Sequence, residues 1–196
     1  MIVRRPVTFD EYLETIRPDS KADLIDGVID MASPESTEHN KLLLWSAAIL
    51  EAYVGRLRLG EIFINRVCFR LSDDDAPEPD IGFVRASRWS IVRPTFVAGA
   101  PDLAVEIVSA ESEQRDYQLK RHLYERAGVK EYWILDPDDE RTTFLVRGPR
   151  GFAQAKLVGG VFASRVVKGF RLDTRWLWQR PRPDTLSIIR EVIGQE

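Results

Sequence analysis

The clearest alternation of hydrophobic and polar segments lies between Pro101 and Pro137. An apolar run, Leu103 to Val108, is followed by a segment with helical periodicity, 113–127, and then by a second apolar run, 131–136. Two such runs on either side of an amphipathic helix are typical of parallel strands joined by a crossover helix. The pattern therefore predicts a βαβ unit in this part of the chain.

Two charged residues of this unit lie where apolar residues are expected. Glu106 is in the middle of the first apolar run, and a buried carboxylate is costly unless a cation pairs with it or binds it. Lys120 shares the inward stripe of the helix with Tyr117 and Tyr124. An inward acid and an inward base on adjacent elements indicate either a functional site or a structural ion pair.

The N-terminal segments predict a short helix and a hairpin. A capping-box sequence at 8–11 begins the helix, and Pro18 is expected to end it. An Asp-Gly pair in the middle of 22–31 predicts a type I′ turn, which requires positive φ at both central residues. Asp23 and Asp30 flank this turn, and we expect both on the solvent face of the hairpin.

A long helix, 37–54, and two strands, 61–71 and 80–84, are predicted next. Glu38 and His39 lie in the first turn of the helix. There they could point towards a site, or Glu38 could simply interact favourably with the helix dipole. Both interpretations remain open from the sequence.

Asp80 begins the predicted strand 80–84, and Glu106 lies in the next long strand. If these strands pair antiparallel, the two carboxylates are neighbours, and converging carboxylates are common ligands of Mg²⁺. Lys120 could reach the same point and stabilise a phosphate or help to activate an attacking water. The set predicts metal-assisted phosphodiester hydrolysis. Asp102 is about 13 Å along the strand from Glu106, so we interpret it as a strand-start residue.

The region after Pro137 predicts antiparallel hairpins and a final helix. Four strand-like segments are separated by glycines: 142–147, 152–158, 161–167 and 169–172. A proline-rich break at 180–183 precedes the predicted helix 184–193, with Asp184 as N-cap and an apolar stripe of Leu186, Ile189 and Ile193. This stripe could mediate self-association or dock onto its own domain. We expect one domain, 1–180, followed by a helical extension, 181–196.

Composition limits the choice of function. A chain of 196 residues with 44% hydrophobic residues is long enough for one globular domain, and it has no apolar run of the ~20 residues that span a membrane. A single cysteine, Cys68, and no signal-peptide pattern predict a cytoplasmic protein. The net charge of −3 argues mildly against a dedicated nucleic-acid binder, so phosphate affinity would need local basic patches, a second protein or metal ions.

Six segments together resemble one known family. They read VTFDEYL, DLIDGVIDMASP, EHNKLL, PEPDIGFV, APDLAVEIVSAES and RDYQLKRHLYERAGVKEYWILDP. In these segments the chain resembles the Uma2 family, formerly DUF820, of the PD-(D/E)xK restriction-endonuclease-like superfamily. The resemblance implies an α/β fold with a mixed sheet and an αβββαβ core, between an N-terminal hairpin and C-terminal antiparallel strands. It also implies a divalent-metal nuclease site and a prokaryotic, cytoplasmic origin.

The resemblance assigns roles to particular residues. Asp80 matches the aspartate of the PD motif and Glu106 the (D/E) position, so both are implied as catalytic residues and as ligands of Mg²⁺ or Mn²⁺. Val108 stands where the motif has its lysine. Lys120 on the following helix is implied as the replacement, in register with Asp116. Accessory roles are expected for Glu38, His39 and Asp116. The hairpin usually reads YELIDGE, and Asp23 and Val28 depart from it, which weakens any role for acids there.

Two functions of different classes follow. The first is a divalent-metal-dependent endonuclease that cleaves DNA rather than RNA, acting as a homo-oligomer away from membranes. The second is a catalytically silent protein with a nuclease fold that serves as a binding or assembly module, for example as a homodimer. Nothing in the residues excludes a different phosphodiester as the substrate of the same site.

Overall fold

The protein is an α/β chain whose computed structural model describes residues 5–17 and 20–194. The helices are α1 (Phe9–Thr15), α2 (Thr37–Leu57), α3 (Arg121–Arg126), α4 (Arg175–Trp178) and α5 (Thr185–Ile193). The strands are β1 (Ala22–Ile25), β2 (Val28–Met31), β3 (Gly60–Ile64), β4 (Ile81–Arg85), β5 (Leu103–Ile107), β6 (Glu131–Asp136), β7 (Arg141–Gly148), β8 (Gly151–Gln154), β9 (Val161–Ala163) and β10 (Arg171–Asp173).

Six of these strands form one mixed sheet in the order β3-β4-β5-β6-β7-β8. β5 and β6 run parallel, whereas the other neighbouring strands are antiparallel. The elements from α2 to β6 therefore have the order αβββαβ, which confirms the predicted core. β1 and β2 form a separate hairpin, as do β9 and β10.

Side chains of β5 alternate between the two faces of the sheet, because successive residues of a strand point in opposite directions. Leu103, Val105 and Ile107 pack in the main core with α2. Ala104 packs on the opposite face with residues of α3. Glu106 has the same parity as Ala104, so the sheet directs its carboxylate towards the α3 side.

Local patterns at the N-terminus are confirmed. The Thr8 hydroxyl accepts a hydrogen bond from the Glu11 amide, and Glu11 accepts one from the Thr8 amide, so the capping box is complete. The predicted stop at Pro18 lies outside the described residues. Asp26 and Gly27 have φ values of 49° and 72°, as a type I′ turn requires. A β-carbon on Gly27 would lie 2.3 Å from Pro6 Cβ, so the turn also needs glycine for space.

Two predicted elements of the core differ from the structure, and beyond the core the strands predicted over 152–158 and 161–167 end at Gln154 and Ala163. The strand predicted over 61–71 ends at Ile64, because Asn65 and Arg66 adopt left-handed φ values of 34° and 50° that turn the chain out of the sheet. The helix predicted over 113–127 contains a π-helical turn, Arg115–Lys120, which α3 continues. A π-helical turn is wider than an α-helical one, and such turns occur frequently at functional sites.

The C-terminal helix docks onto its own chain. Asp184 caps α5 as predicted, accepting a hydrogen bond of 2.9 Å from the Ser187 amide. The predicted stripe is wrong in part, because Ile188 and Val192 enter the main core with α2 whereas Leu186 is 64% exposed. The stripe is rotated because α5 meets α2 on the face that carries these two residues. Across the described ranges, no helix combines the length and apolar character that crossing a bilayer requires.

Candidate active site

A cavity of about 350 Å³ lies between the β1/β2 hairpin, the start of α2, the sheet and the π-helical turn. Seven Asp or Glu side chains line it, compared with three Lys or Arg side chains. This excess of carboxylates in one concave, partly buried site favours cations. Of the six predicted site residues, the cavity contains Asp80, Glu106, Lys120, His39 and Asp116, but not Glu38.

Asp80 reaches the cavity because β4 and β5 pair antiparallel, as predicted. The register places Ile81 opposite Val105, so the next residues outward, Asp80 and Glu106, are neighbours across the strands. Asp80 Oδ2 accepts a hydrogen bond of 2.7 Å from the Ile107 amide, and Oδ1 accepts one from the Lys21 ammonium. Burial alone would raise the pKa of Asp80, but His39 and Lys21 hold it well below its usual value. Asp80 is therefore an ionised carboxylate.

Glu106 is almost completely buried and is held by two donors. Its Oε1 accepts a hydrogen bond of 2.7 Å from the Tyr124 hydroxyl and lies 3.0 Å from Lys120 Nζ. Burial raises the pKa of Glu106 to about 8, with Lys120 opposing the shift and the Asp116 and Asp80 carboxylates adding to it. Glu106 can therefore hold a proton close to neutral pH.

Lys120 lies between two carboxylates from distant segments. Its ammonium is 3.0 Å from Glu106 Oε1 and 2.9 Å from Asp23 Oδ2, and the side chain is 2% exposed. Burial would lower its pKa, but Asp23 and Glu106 raise it instead, so Lys120 is a permanent cation. The expectation that Asp23 faces solvent is wrong. Asp23 is 5% exposed because the hairpin packs over the cavity and its Oδ1 accepts a hydrogen bond from the Glu78 amide.

Asp116, one π-helical turn before Lys120, also faces the cavity. Its Oδ2 accepts a hydrogen bond of 2.5 Å from the Ser112 hydroxyl, while its Oδ1 is buried and has no hydrogen-bond partner. Burial raises the pKa of Asp116 to about 6. Asp30, by contrast, is exposed as expected and pairs with Arg115 at 2.6 Å.

The two candidate site residues in the first turn of α2, Glu38 and His39, point in different directions. His39 is buried, with Nε2 3.3 Å from Asp80 Oδ2 and Nδ1 3.2 Å from Glu35 Oε2. Glu38 points away from the cavity and forms ion pairs with Arg180 and Arg182. Contact with these arginines explains Glu38 better than either role considered from the sequence.

Sequence reasoning missed two cavity residues, Lys21 and Glu35. Lys21 forms ion pairs with Asp80 and, at 3.3 Å, with Glu35. Both residues lie in connections next to the hairpin, where no periodicity distinguishes an inward side chain from an outward one. Asp102 behaves as the strand-start residue that we expected, with its carboxylate 2.8 Å from Arg85 and 3.0 Å from Arg88, outside the cavity.

Comparison with known proteins connects this geometry to a family. The sequence model of Uma2, described as a putative restriction endonuclease, matches residues 9–175. The chain belongs to the Uma2 family. The matched range includes every residue that lines the cavity, which confirms the resemblance found in the sequence motifs. No curated protein matches this chain.

A solved structure supports the fold of this Uma2 chain. It is described as a putative nuclease belonging to DUF820 from Anabaena variabilis, and it shares 20% identity with this chain. The match covers 88% of this chain and 98% of the other, with a TM-score of 0.73. Similarity at this identity establishes the shared fold, and the chemistry of the site has to be argued from its own residues.

The cavity of this Uma2 protein fits the divalent cation that a nuclease family implies. Asp80 supplies an ionised carboxylate, and Asp116 Oδ1 is a buried acceptor without a hydrogen-bond partner. Within the described ranges, one group of possible ligand atoms lies within 4.8 Å of one another, from Glu35, His39 and Asp80. Glu106 is outside this group and is held by Lys120 and Tyr124.

We expect Tyr124→Phe to lower the free energy of unfolding by about 1.5–3 kcal/mol, measured by urea denaturation at pH 8. The change removes the hydroxyl that donates to the buried Glu106 carboxylate at 2.7 Å. Tyr117→Phe is the matched control, because its half-buried hydroxyl donates to Asp136 at 3.3 Å and we expect a smaller loss. Equal losses in the two variants would show that the hydrogen bond to Glu106 contributes no more to the free energy of unfolding than the hydrogen bond to Asp136 does.

Proposed function

We propose that this Uma2 protein is an endonuclease that hydrolyses phosphodiester bonds in DNA with Mg²⁺ or Mn²⁺. The observation that carries the proposal is the convergence of Asp80, Glu106 and Lys120 on one cavity in a chain of a restriction-endonuclease family. Asp80 and Glu106 are the proposed metal ligands. A divalent cation bound there would polarise a phosphoryl oxygen and lower the pKa of a bound water.

The charges and contacts of the side chains suggest which role each residue has in catalysis. Lys120 keeps its proton at neutral pH, so it acts through its charge and stabilises the negative charge that develops on the phosphate. Asp23 and Glu106 hold the ammonium from two sides and fix its direction. Lys120 is too basic to accept a proton from the attacking water, which argues against the alternative of a lysine base.

A groove next to the cavity supports a nucleic-acid substrate. It is lined by Lys21, Lys41, Asn65 and Arg66, and it shares the wall formed by residues 31–36 with the cavity. Lys41 and Arg66 are exposed, so their charges are available to a phosphate backbone. This local basic surface is the kind of patch that an acidic chain with a net charge of −3 would need.

The proposal also includes the setting of the protein. We place the nuclease in the cytoplasm of a prokaryote, where the buried thiol of Cys68 would remain reduced. Assembly as a homo-oligomer is part of the same proposal, since cutting both strands of DNA is simplest with two copies of one site.

A nicking assay on supercoiled plasmid tests the proposal. Mg²⁺ and Mn²⁺ are supplied separately, with EDTA as the metal-free control, and Glu106→Ala is purified in parallel. We expect metal-dependent nicking by the unsubstituted protein and a loss of about 100-fold or more in the variant, because the variant lacks one proposed ligand. Glu51→Gln, at an exposed position of α2, is the matched control and should nick normally.

Thermal melts of each variant show whether lost nicking reflects lost folding. Equal nicking by the unsubstituted protein and Glu106→Ala would assign the activity to a contaminant and contradict the proposed site. Absence of nicking with either metal, in a folded protein, would favour the catalytically silent binding or assembly module.

A further inference from the structure

The chain leaves β3 through a corner formed by Asn65 and Arg66, and the backbone of this corner is strained. Both residues have left-handed φ values, 34° and 50°, although neither is glycine. This conformation is costly for a residue that has a β-carbon, and asparagine tolerates it better than arginine does. Strain of this kind persists only where the surrounding structure enforces it, and it is concentrated at functional sites.

The side chains of the corner lack partners of their own. Asn65 Oδ1 is buried, and among residues 5–17 and 20–194 it has no hydrogen-bond partner. A buried polar atom in this state is uncommon in folded proteins and calls for an explanation. Arg66 is exposed, and its guanidinium forms no ion pair within the described part of the chain. An acceptor and a cation on neighbouring residues are thus both available to a ligand.

The corner lies directly beside the proposed catalytic residues. The Asn65 amide donates a hydrogen bond of 3.3 Å to the carbonyl oxygen of Asp80, which ties the corner to the start of β4. Both residues of the corner line the groove of about 730 Å³ that adjoins the cavity, as does Lys41 of α2. A nucleic-acid strand with one phosphate in the cavity would therefore have its neighbouring nucleotide in this groove.

We infer that the corner positions the substrate by binding the nucleotide next to the phosphodiester that is cut. The Arg66 guanidinium binds the phosphate of that nucleotide through paired, charge-assisted hydrogen bonds. Asn65 Oδ1 is an acceptor, so it binds a donor, and the donors that DNA offers are the N–H groups of its bases. The inference rests on the proposed function and adds to it two residues that hold the substrate.

Arg58 provides an internal reference for Arg66. It is also an exposed arginine with a left-handed φ, 53°, but it is the C-cap of α2 and lines neither the cavity nor the groove. The helix has 21 residues, so its C-cap is roughly 30 Å from the end that borders the groove. The left-handed conformation of Arg58 is explained by helix capping, because many helices end with a residue in this conformation.

Arg66→Gly and Arg58→Gly form a matched pair, since each removes one exposed guanidinium and relaxes one left-handed residue. Binding of fluorescently labelled duplex DNA is measured at several salt concentrations in EDTA, so that metal-dependent cutting does not interfere. We expect Arg66→Gly to bind more weakly and to reduce the slope of log affinity against log salt by about 1, because one phosphate contact is lost. Arg58→Gly should bind like the unsubstituted protein.

Thermal melts distinguish a binding residue from one that supports the fold. Arg66→Gly should melt no lower than the unsubstituted protein, because glycine adopts the left-handed conformation without steric cost. Arg66→Gln removes the charge and leaves the backbone strain in place, so it should show the same reduced slope and melt within about 2 °C of the unsubstituted protein. A fall of more than about 4 °C in Arg66→Gln would overturn the inference, because the guanidinium would then support the fold.

Asn65→Gly tests the contact with a base. Duplexes that bind tightly are selected from a pool of random sequence, once with the unsubstituted protein and once with the variant. We expect the unsubstituted protein to prefer particular bases at one position, and we expect Asn65→Gly to lose that preference while keeping its salt slope. Selection without a preference at any position by the unsubstituted protein would overturn the role inferred for Asn65.

The outcomes separate the inference from the proposed function. Equal salt slopes for Arg66→Gly, Arg58→Gly and the unsubstituted protein, with plasmid nicking intact, would overturn the inference and leave the nuclease in place. Absence of DNA binding by the unsubstituted protein at low salt would overturn it as well. A reduced slope in Arg66→Gly alone, in a protein that never nicks DNA, would support the binding corner while contradicting the nuclease.

Discussion

Lys120→Met should lower the free energy of unfolding by about 3–5 kcal/mol and abolish any metal-dependent nicking. The variant removes the ammonium that lies 2.9 Å from Asp23 and 3.0 Å from Glu106, while both carboxylates stay buried. Removing one partner of a buried pair is costly because the remaining charge has lost its partner without regaining water. Methionine keeps much of the volume of the lysine side chain, so the loss of stability reflects the missing charge rather than poorer packing.

Urea denaturation at pH 8 measures the effect on stability. Lys130→Met is the matched control, because Lys130 is exposed and its loss should change the free energy of unfolding by less than about 0.5 kcal/mol. A similarly small change in Lys120→Met would mean that the buried carboxylates are relieved by water or by taking up protons. Nicking has to be assayed in urea-free buffer at a temperature where melts show the variant folded.

In EDTA, the free energy of unfolding should fall by a few kcal/mol between pH 5 and pH 8. Glu106 has a pKa of about 8 in the folded chain, raised above its ordinary value of 4.5, mainly by burial and against the effect of Lys120. The folded state therefore binds this proton more tightly than the unfolded chain does. The resulting stabilisation is complete at pH values below the pKa of Glu106 in the unfolded chain, and it is lost as the pH rises through about 8. Each unit of difference between the folded and unfolded pKa corresponds to about 1.4 kcal/mol of stability.

Titration of Asp116 also lowers the free energy of unfolding as the pH rises, because burial raises the pKa of Asp116 to about 6. Urea denaturation at several pH values measures the slope, and Glu106→Gln should make it distinctly shallower because the titrating group is gone. Adding Mn²⁺ at pH 8 should restore stability, since a ligand that binds only the folded state stabilises it. An identical slope in the protein and in Glu106→Gln would show that Glu106 does not titrate in this range.

Features that depend on neighbouring residues could be predicted from the sequence. The turn at Asp26 and Gly27 and the capping box at Thr8 and Glu11 have the predicted geometry, because both are governed by local backbone sterics and short-range hydrogen bonds. The βαβ unit and the antiparallel pairing that brings Asp80 beside Glu106 follow from hydrophobic periodicity and family motifs. Glu106 and Lys120 were recognisable because each interrupts an apolar pattern.

The partners of these groups were decided only by tertiary structure. Lys21 is 59 residues from Asp80, and Asp23 meets Lys120 only because the hairpin packs over the cavity. The π-helical turn that brings Asp116 and Lys120 to the same side has no signature in the periodicity, and strand β3 ends early because of left-handed residues at its end. Local sequence sets the backbone preferences, whereas the partner of a buried charge depends on which distant segment the packed core brings within reach.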